Sequence, residues 1–248
     1  MRQYLLPIIT GLLVIIFWQF SVINFQIDKW ILPGPAEIAS SFWQAKSLII
    51  YHSLPTIFEA SIGLTLATLI GIIIAIAMEW SDFIRKIFYP FLILSQTIPF
   101  IVLAPLLTIW FGFGLTPKVI IIALVCFFPI TINLFDGLST VDSATLKLML
   151  SMGANKKQVL KWVKWPTSLP TFFSGLRIAA AYSILGAVIS EWVGAEKGLG
   201  ILLTRSAKSY LTDRVFATIA VITVLSILAV LIVELIARLT IPWHYKKV

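Results

Sequence analysis

Glu59 and Glu191 are the two acids whose setting could do chemistry. Glu59 is followed by Gly63, Ala67, Gly71 and Ala75. Glu191 is preceded by Gly175, Ala179, Ser183 and Ala187. On a helix, a spacing of four puts each acid in line with its row of small residues. Small residues let helix backbones approach closely. A carboxylate on such a row either lines a solute path or outer gate, or anchors the packing through a pair. The path reading takes in Glu59, Gly63, Gln96, Ser183 and Glu191. Glu234 has no such row and reads as a bundle contact. His52 and His244 fall on opposite sides of the chain's layout, so they cannot share a metal. No Ser/His/Asp or paired-carboxylate constellation supports catalysis. Cys126, the single cysteine, has no disulfide partner and sits in an apolar run.

The elements that carry these residues are apolar. Of 248 residues, 59% are hydrophobic and 12% charged, and mean hydropathy is +0.99. A soluble domain has about 45–50% apolar and about 25% charged residues. This composition belongs in a bilayer. Runs of roughly 20 residues, long enough to span, lie near 4–21, 55–79, 86–111, 116–137, 171–194 and 216–241. The expected fold is an all-α integral membrane domain over 1–248 with about six transmembrane helices. The first run has no A-x-A-like cleavage site after it, so it reads as a retained helix.

Two stretches modify that layout. Ile31-Leu32-Pro33-Gly34-Pro35 is a stiff turn, and Ala36 to Ala45 reads as a short amphipathic helix resting at the interface. The third span carries Pro90, Pro99 and Pro105, which either break it beside a pathway or kink it for packing. Trp110, Phe111, Phe113, Phe127 and Phe128 read as belt or packing aromatics. The net charge of +8 comes with no nucleic-acid motif, so no nucleic-acid partner is expected. It fits basic loops flanking a membrane. With both termini inside, twelve of the nineteen Lys and Arg residues face the cytoplasm, which is the orientation that the positive-inside rule selects.

The cytoplasmic loop 138–170 is unusually apolar. Ser139 and Asp142 form an S-x-x-D capping pattern, and a helix over Val141–Met152 is expected to stop at Gly153. Leu146, Leu148, Met149, Leu150 and Met152 cover most of its circumference. Such a helix needs partners on more than one side, and one side fits a groove on a second protein. Asn155 and Gln158 cap a second helix that ends at Pro166. Its Lys157, Lys161 and Lys164 share a face suited to anionic lipid.

This loop resembles the EAA loop of permease subunits of ATP-binding-cassette importers. The family pattern is E-A-A, three residues, Gly, nine residues, Ile, any residue, Leu-Pro. Gly153, nine further residues, Val163 and Pro166 keep that spacing, while Lys147-Leu148-Met149 replaces the E-A-A triplet. Thr97-Ile98-Pro99, Ala104-Pro105-Leu106, Trp110-Phe111-Gly112, Phe127-Phe128-Pro129, Gly175-Leu176-Arg177 and Gly198-Leu199-Gly200 resemble the branch that imports sulfonates, nitrate, taurine and thiamine or flavin precursors. The resemblance implies a second permease copy, in a homo- or heterodimer, two ATPase subunits carrying ATP and Mg, and an extracytoplasmic substrate-binding protein. It implies that Leu148, Met149, Met152, Gly153, Ala154 and Asn155 couple to the ATPase. The chain itself has no G-x-x-x-x-G-K-[ST] loop for ATP, and no bound cofactor is expected. A stand-alone secondary transporter or channel would instead need inverted repeats and buried ion-coupling residues, and no repeat is evident.

Overall fold

A computed structural model describes the backbone of residues 2–245 and side chains from Leu6 onward. Arg2, Lys246 and Lys247, three of the basic residues expected on the cytoplasmic side, therefore lie outside the described side chains. The described residues form helices α1 (Arg2–Asn24), α2 (Pro35–Trp80), α3 (Asp82–Ser95), α4 (Phe100–Phe111), α5 (Leu115–Ser139), α6 (Ser143–Ser151), α7 (Lys156–Val159), α8 (Trp165–Glu191), α9 (Leu199–Lys208), α10 (Thr212–Thr240) and α11 (Pro242–Tyr245). Five helical stretches are long and apolar enough to cross a membrane, and six if α3 and α4 count as one span.

The core forms where α2 and α8 close on α5. The rows of small residues are what permit it. A Cβ on Gly63 would stand 2.4 Å from Ile122 Cγ2, and one on Gly175 would stand 2.2 Å from the Pro129 carbonyl oxygen. Ile122, Cys126, Ile130 and Leu134 of α5 are fully enclosed between the two rows. The Cys126 thiol donates to the Ala179 carbonyl at 3.2 Å, which keeps a polar atom of α5 satisfied inside the packing. Helix α1 lies outside this core, while α10 packs on α8 and α2 and adds Val233 and Ala237 to it; both helices still expose most of their apolar length.

Three expectations are corrected. The segment Ala36–Ala45 is not a separate interfacial helix. It is the first part of α2, which runs unbroken for 46 residues. Between Ala36 and Leu54 nothing breaks the helix, and Ser41, Ala45 and Ile49 extend the buried stripe that continues through Thr56, Glu59 and Gly63. At 1.5 Å per residue α2 is roughly 69 Å long, about twice the hydrocarbon thickness, so it projects well beyond the bilayer. Pro166 does not end the helix after Asn155. A π turn over Leu160–Lys164 joins α7 to α8, and Pro166 sits in the first turn of α8. The wider π turn displaces the hydrogen-bond register, so a missing N–H is tolerated there. Ser139 does not cap α6. It ends α5, while Asp142 occupies the N-cap position without a side-chain capping bond.

The third span is broken rather than merely kinked. The axes of α3 and α4 meet at 105°, with Gln96–Pro99 between them. Pro90 and Pro105 remain inside their helices. Only Pro99 stands at a boundary, where it occupies the N-cap of α4.

The close approach of α8 to α5 yields the first prediction. Gly175→Ala drives a methyl into the Pro129 carbonyl, which is backbone and cannot move aside cheaply, so it should destabilise the fold by about 1–3 kcal/mol. A methyl at Gly11 would meet nothing within 4 Å, so Gly11→Ala should be accepted without loss. Thermal unfolding in detergent, read side by side for the two variants, checks this.

Candidate functional site

Two groups of residues stand out, one at each end of the core. The first joins α2, α5, α8 and α9. Glu59, 5% exposed, accepts a hydrogen bond from the Lys118 ammonium at 2.6 Å. Glu191, fully buried, accepts from the Thr56 hydroxyl at 2.6 Å through one oxygen and from the Gly200 amide at 2.6 Å through the other. Thr56 Oγ1 accepts from the Leu199 amide at 2.9 Å, and His52 Nδ1 accepts from the Gly198 amide at 3.0 Å. The first backbone N–H groups of α9 have no partners within their own helix. Here Thr56 and Glu191 satisfy two of them, and the Glu191 carboxyl sits at the positive end of the helix dipole.

Glu59 and Glu191, far apart in sequence, are thus neighbours in space, close enough for each carboxyl to feel the other. Gly63 continues their stripe by packing on Ile122. Ser183 and Gln96 do not join them among the described residues. Ser183 is buried and donates to the Ala180 carbonyl at 2.8 Å. Gln96 is exposed at the α3–α4 break, its amide donating to the Ile93 carbonyl.

Sequence reasoning left Lys118, Thr56, His52 and Gly198–Gly200 out of this group. The signal was partly there, because His52 and Thr56 share the helical stripe of Glu59 and Gly63. Lys118 and the 198–200 turn come from distant parts of the chain, and no local pattern points to them. Outside the spans, the exposed Lys197 ammonium lies over the Tyr51 ring at 5.0 Å. Its interaction with the Tyr51 hydroxyl holds its pKa above the ordinary lysine value.

The second group lies at the opposite end of the core. α6 has no buried residue. Leu148 is 61% and Met152 74% exposed, whereas Met149 and Ala154 are half-buried. Gly153 takes φ +83°. The Ala154 amide reaches back to the Met149 carbonyl at 3.0 Å, and the Gly153 amide to Leu150 at 3.0 Å. These two bonds make a Schellman C-cap, which needs a left-handed residue at that position. Asn155 and Gln158 exchange the expected capping-box bonds, at 2.9 and 2.8 Å.

The hairpin is fixed to the core by charge. Lys164 pairs with Glu79 of α2, and Ser139 lies 3.4 Å from the same carboxylate. A cleft of about 260 Å³ separates α6 from this anchor, walled by Trp80, Leu146, Leu150 and Val159. At the same end Glu234 pairs with Arg177 and Arg238 and accepts from the Tyr245 hydroxyl at 3.2 Å. Glu234 is therefore a contact joining α8, α10 and α11.

Residues 67–242 match the family described as the binding-protein-dependent transport system inner membrane component. The chain belongs to this family. It is a multi-pass, inner-membrane permease subunit of an ATP-binding-cassette importer. It is 35% identical over 246 residues to the formylaminopyrimidine transport permease protein ThiX of Halalkalibacterium halodurans, covering 99% of this chain and 98% of that one. It is 34% identical to the riboflavin transport system permease protein RibX of Chloroflexus aurantiacus, covering 95% and 88%. The taurine transport system permease protein TauC of Escherichia coli is 30% identical, with 98% and 91% covered. In fold, the permease resembles a chain of the inward-facing MetNI methionine ABC transporter, with a TM-score of 0.66 and 17% identity over 79% of this chain and 97% of that chain.

The buried ion pair gives the second prediction. Lys118→Met leaves the Glu59 carboxylate enclosed without its cation and should cost about 3–5 kcal/mol. Adding Glu59→Leu removes the stranded charge and should restore most of the loss. Chemical denaturation of the permease in detergent checks both variants, and equal instability of the single and double variants would show that the pair is not what matters.

Proposed function

We propose that this permease carries a small organic solute inward, driven by ATP and Mg on a separate ATPase that grips α6 and the Gly153 turn. The observation behind the proposal is an apolar helix with no buried residue on its own chain, held at the end of the core by the Lys164–Glu79 pair. Burying a Leu or Met side chain contributes roughly 1.5–3 kcal/mol, so a partner groove that takes Leu148 and Met152 gains appreciable binding energy. The Schellman turn at Gly153–Ala154 and the cap at Asn155 stiffen the hairpin, so that a push on α6 reaches α2 and α8 instead of being lost in a loop.

The rest of the assembly follows the family: a second permease copy, identical or not, and an extracytoplasmic binding protein that delivers solute. Lys157 and Lys161 suit anionic lipid headgroups, whereas Lys164 of the same face is taken up by Glu79. For the solute, the reading is a thiamine precursor or a flavin ahead of an alkanesulfonate. Its support is that the pyrimidine and riboflavin permeases match at 35% and 34% identity, against 30% for the taurine permease.

Co-purification of the ATPase tests the coupling role. Leu148→Asp places a charge in the groove and should release the ATPase. Gly153→Val strains a position with φ +83° by roughly 1–2 kcal/mol or more, tilts α6, and should lower ATP hydrolysis in whatever complex remains. Retention of the ATPase at full activity by both variants would remove the main physical support for the reading. Orientation has its own test. With Cys126→Ser as background, a cysteine at position 156 should be reached by an impermeant thiol reagent only in inside-out vesicles.

A further inference from the structure

The geometry points to a solute-recognition site at the outer mouth of the permease, built to take a planar nitrogen heteroaromatic against Phe113 and above the Glu59–Lys118 pair. The inference rests on the importer reading above and names the solute class for it. A basin of about 450 Å³ is lined by Pro55, Glu59, Phe113, Lys118, Glu196 and Lys197, among others. That size lies within the range of pockets that take small molecules, about 300–1,000 Å³.

Phe113 forms the wall. It is 76% exposed and stands on the turn between α4 and α5, with positive φ at both neighbours, Gly112 and Gly114. Its ring lies against Gly194, where a Cβ would come within 2.2 Å of the ring carbons. One face of the basin thus carries a large aromatic ring held by a contact that no side chain at position 194 would permit. The charged groups along the same rim, Glu196 and Lys197, are stable only beside water, so the ring stands at the aqueous mouth and not in hydrocarbon.

Charge selects the solute. The basin holds two acids and two bases. Lys118 pairs with Glu59 at 2.6 Å, and Lys197 lies over the Tyr51 ring at 5.0 Å, so the formal charges of the lining sum to zero. An anion site for a sulfonate would need net positive charge, and the two acids and two bases of this lining carry none in sum. Lys118 has three N–H donors and gives one to Glu59. The remaining donors, with an aromatic wall beside them, match a ring that presents nitrogen or carbonyl acceptors at its edge and a flat face for stacking.

The test is saturation binding to the assembled transporter in lipid nanodiscs, with labelled formylaminopyrimidine and with riboflavin as probes and excess taurine as competitor. At least one heteroaromatic should bind saturably and resist taurine. Phe113→Ala should weaken that binding about fivefold or more, the lower end of what removing a base-stacking ring costs. Phe113→Trp, which keeps an aromatic face, should hold it within about twofold. Absence of saturable binding by both probes, displacement by taurine, or unchanged affinity in Phe113→Ala would each overturn the site. ATPase co-purification from the same preparations separates the two readings. If the ATPase is retained while Phe113→Ala binds normally, the site fails and the importer stands.

Discussion

In hydrocarbon, lipid tails compete on equal terms with leucine, so helices are held together mainly by how closely their backbones can approach. That constraint organises this permease. Gly63 on α2 and Gly175 on α8 bring two helices onto α5 at distances where any side chain would collide with Ile122 or with the Pro129 carbonyl. Everything else is arranged around that contact. The two stripes that permit it carry Glu59 and Glu191 at one end. Toward the other end, the same helices carry the ion-paired residues Glu79 and Arg177.

A second constraint follows from the first. A backbone group inside the membrane must find a partner, and where the chain leaves regular helix the partners come from the core. At the end that carries the two acids, Thr56, His52 and Glu191 accept the amides of Leu199, Gly198 and Gly200. The re-entry of the chain into α9 is therefore fixed by side chains from α2 and α8. At the α3–α4 break no comparable set closes around Gln96–Pro99 among the described residues. The backbone there is held only by short-range bonds, from the Gln96 amide to Ile93 and from the Thr97 amide to Leu94.

The two ends of the core also differ in what they leave open. The acid-bearing end buries Glu59 in an ion pair and Glu191 among hydrogen-bond donors, and exposes an aromatic ring at the rim. The opposite end exposes Leu148, Leu150 and Met152 on a stiffly capped hairpin. This asymmetry fits the proposed reading, in which solute passes at one end and force enters at the other. The continuous helix from Lys156 through the π turn to Glu191 links the hairpin mechanically to the buried carboxylate at the far end, because Glu191 is the last residue of α8.

The sequence by itself determined the membrane setting, the all-helical fold, the small-residue stripes, the Gly153 turn and the Asn155–Gln158 cap. Each depends on spacing along one helix or one turn, which the chain carries locally. It also marked Glu59 and Glu191 by register alone. Tertiary structure decided that these two acids meet, that Lys118 neutralises one and the start of α9 engages the other, and that α2 absorbs what reads as a separate interfacial helix. It also decided that Pro166 is accommodated rather than terminating, because the cost of a missing N–H depends on the hydrogen-bond register around it. Contacts between Glu59 and Lys118, or between His52 and Gly198, join residues 59 and 146 positions apart. No periodicity encodes such a meeting, since it exists only once α2, α5 and α8 have closed on one another.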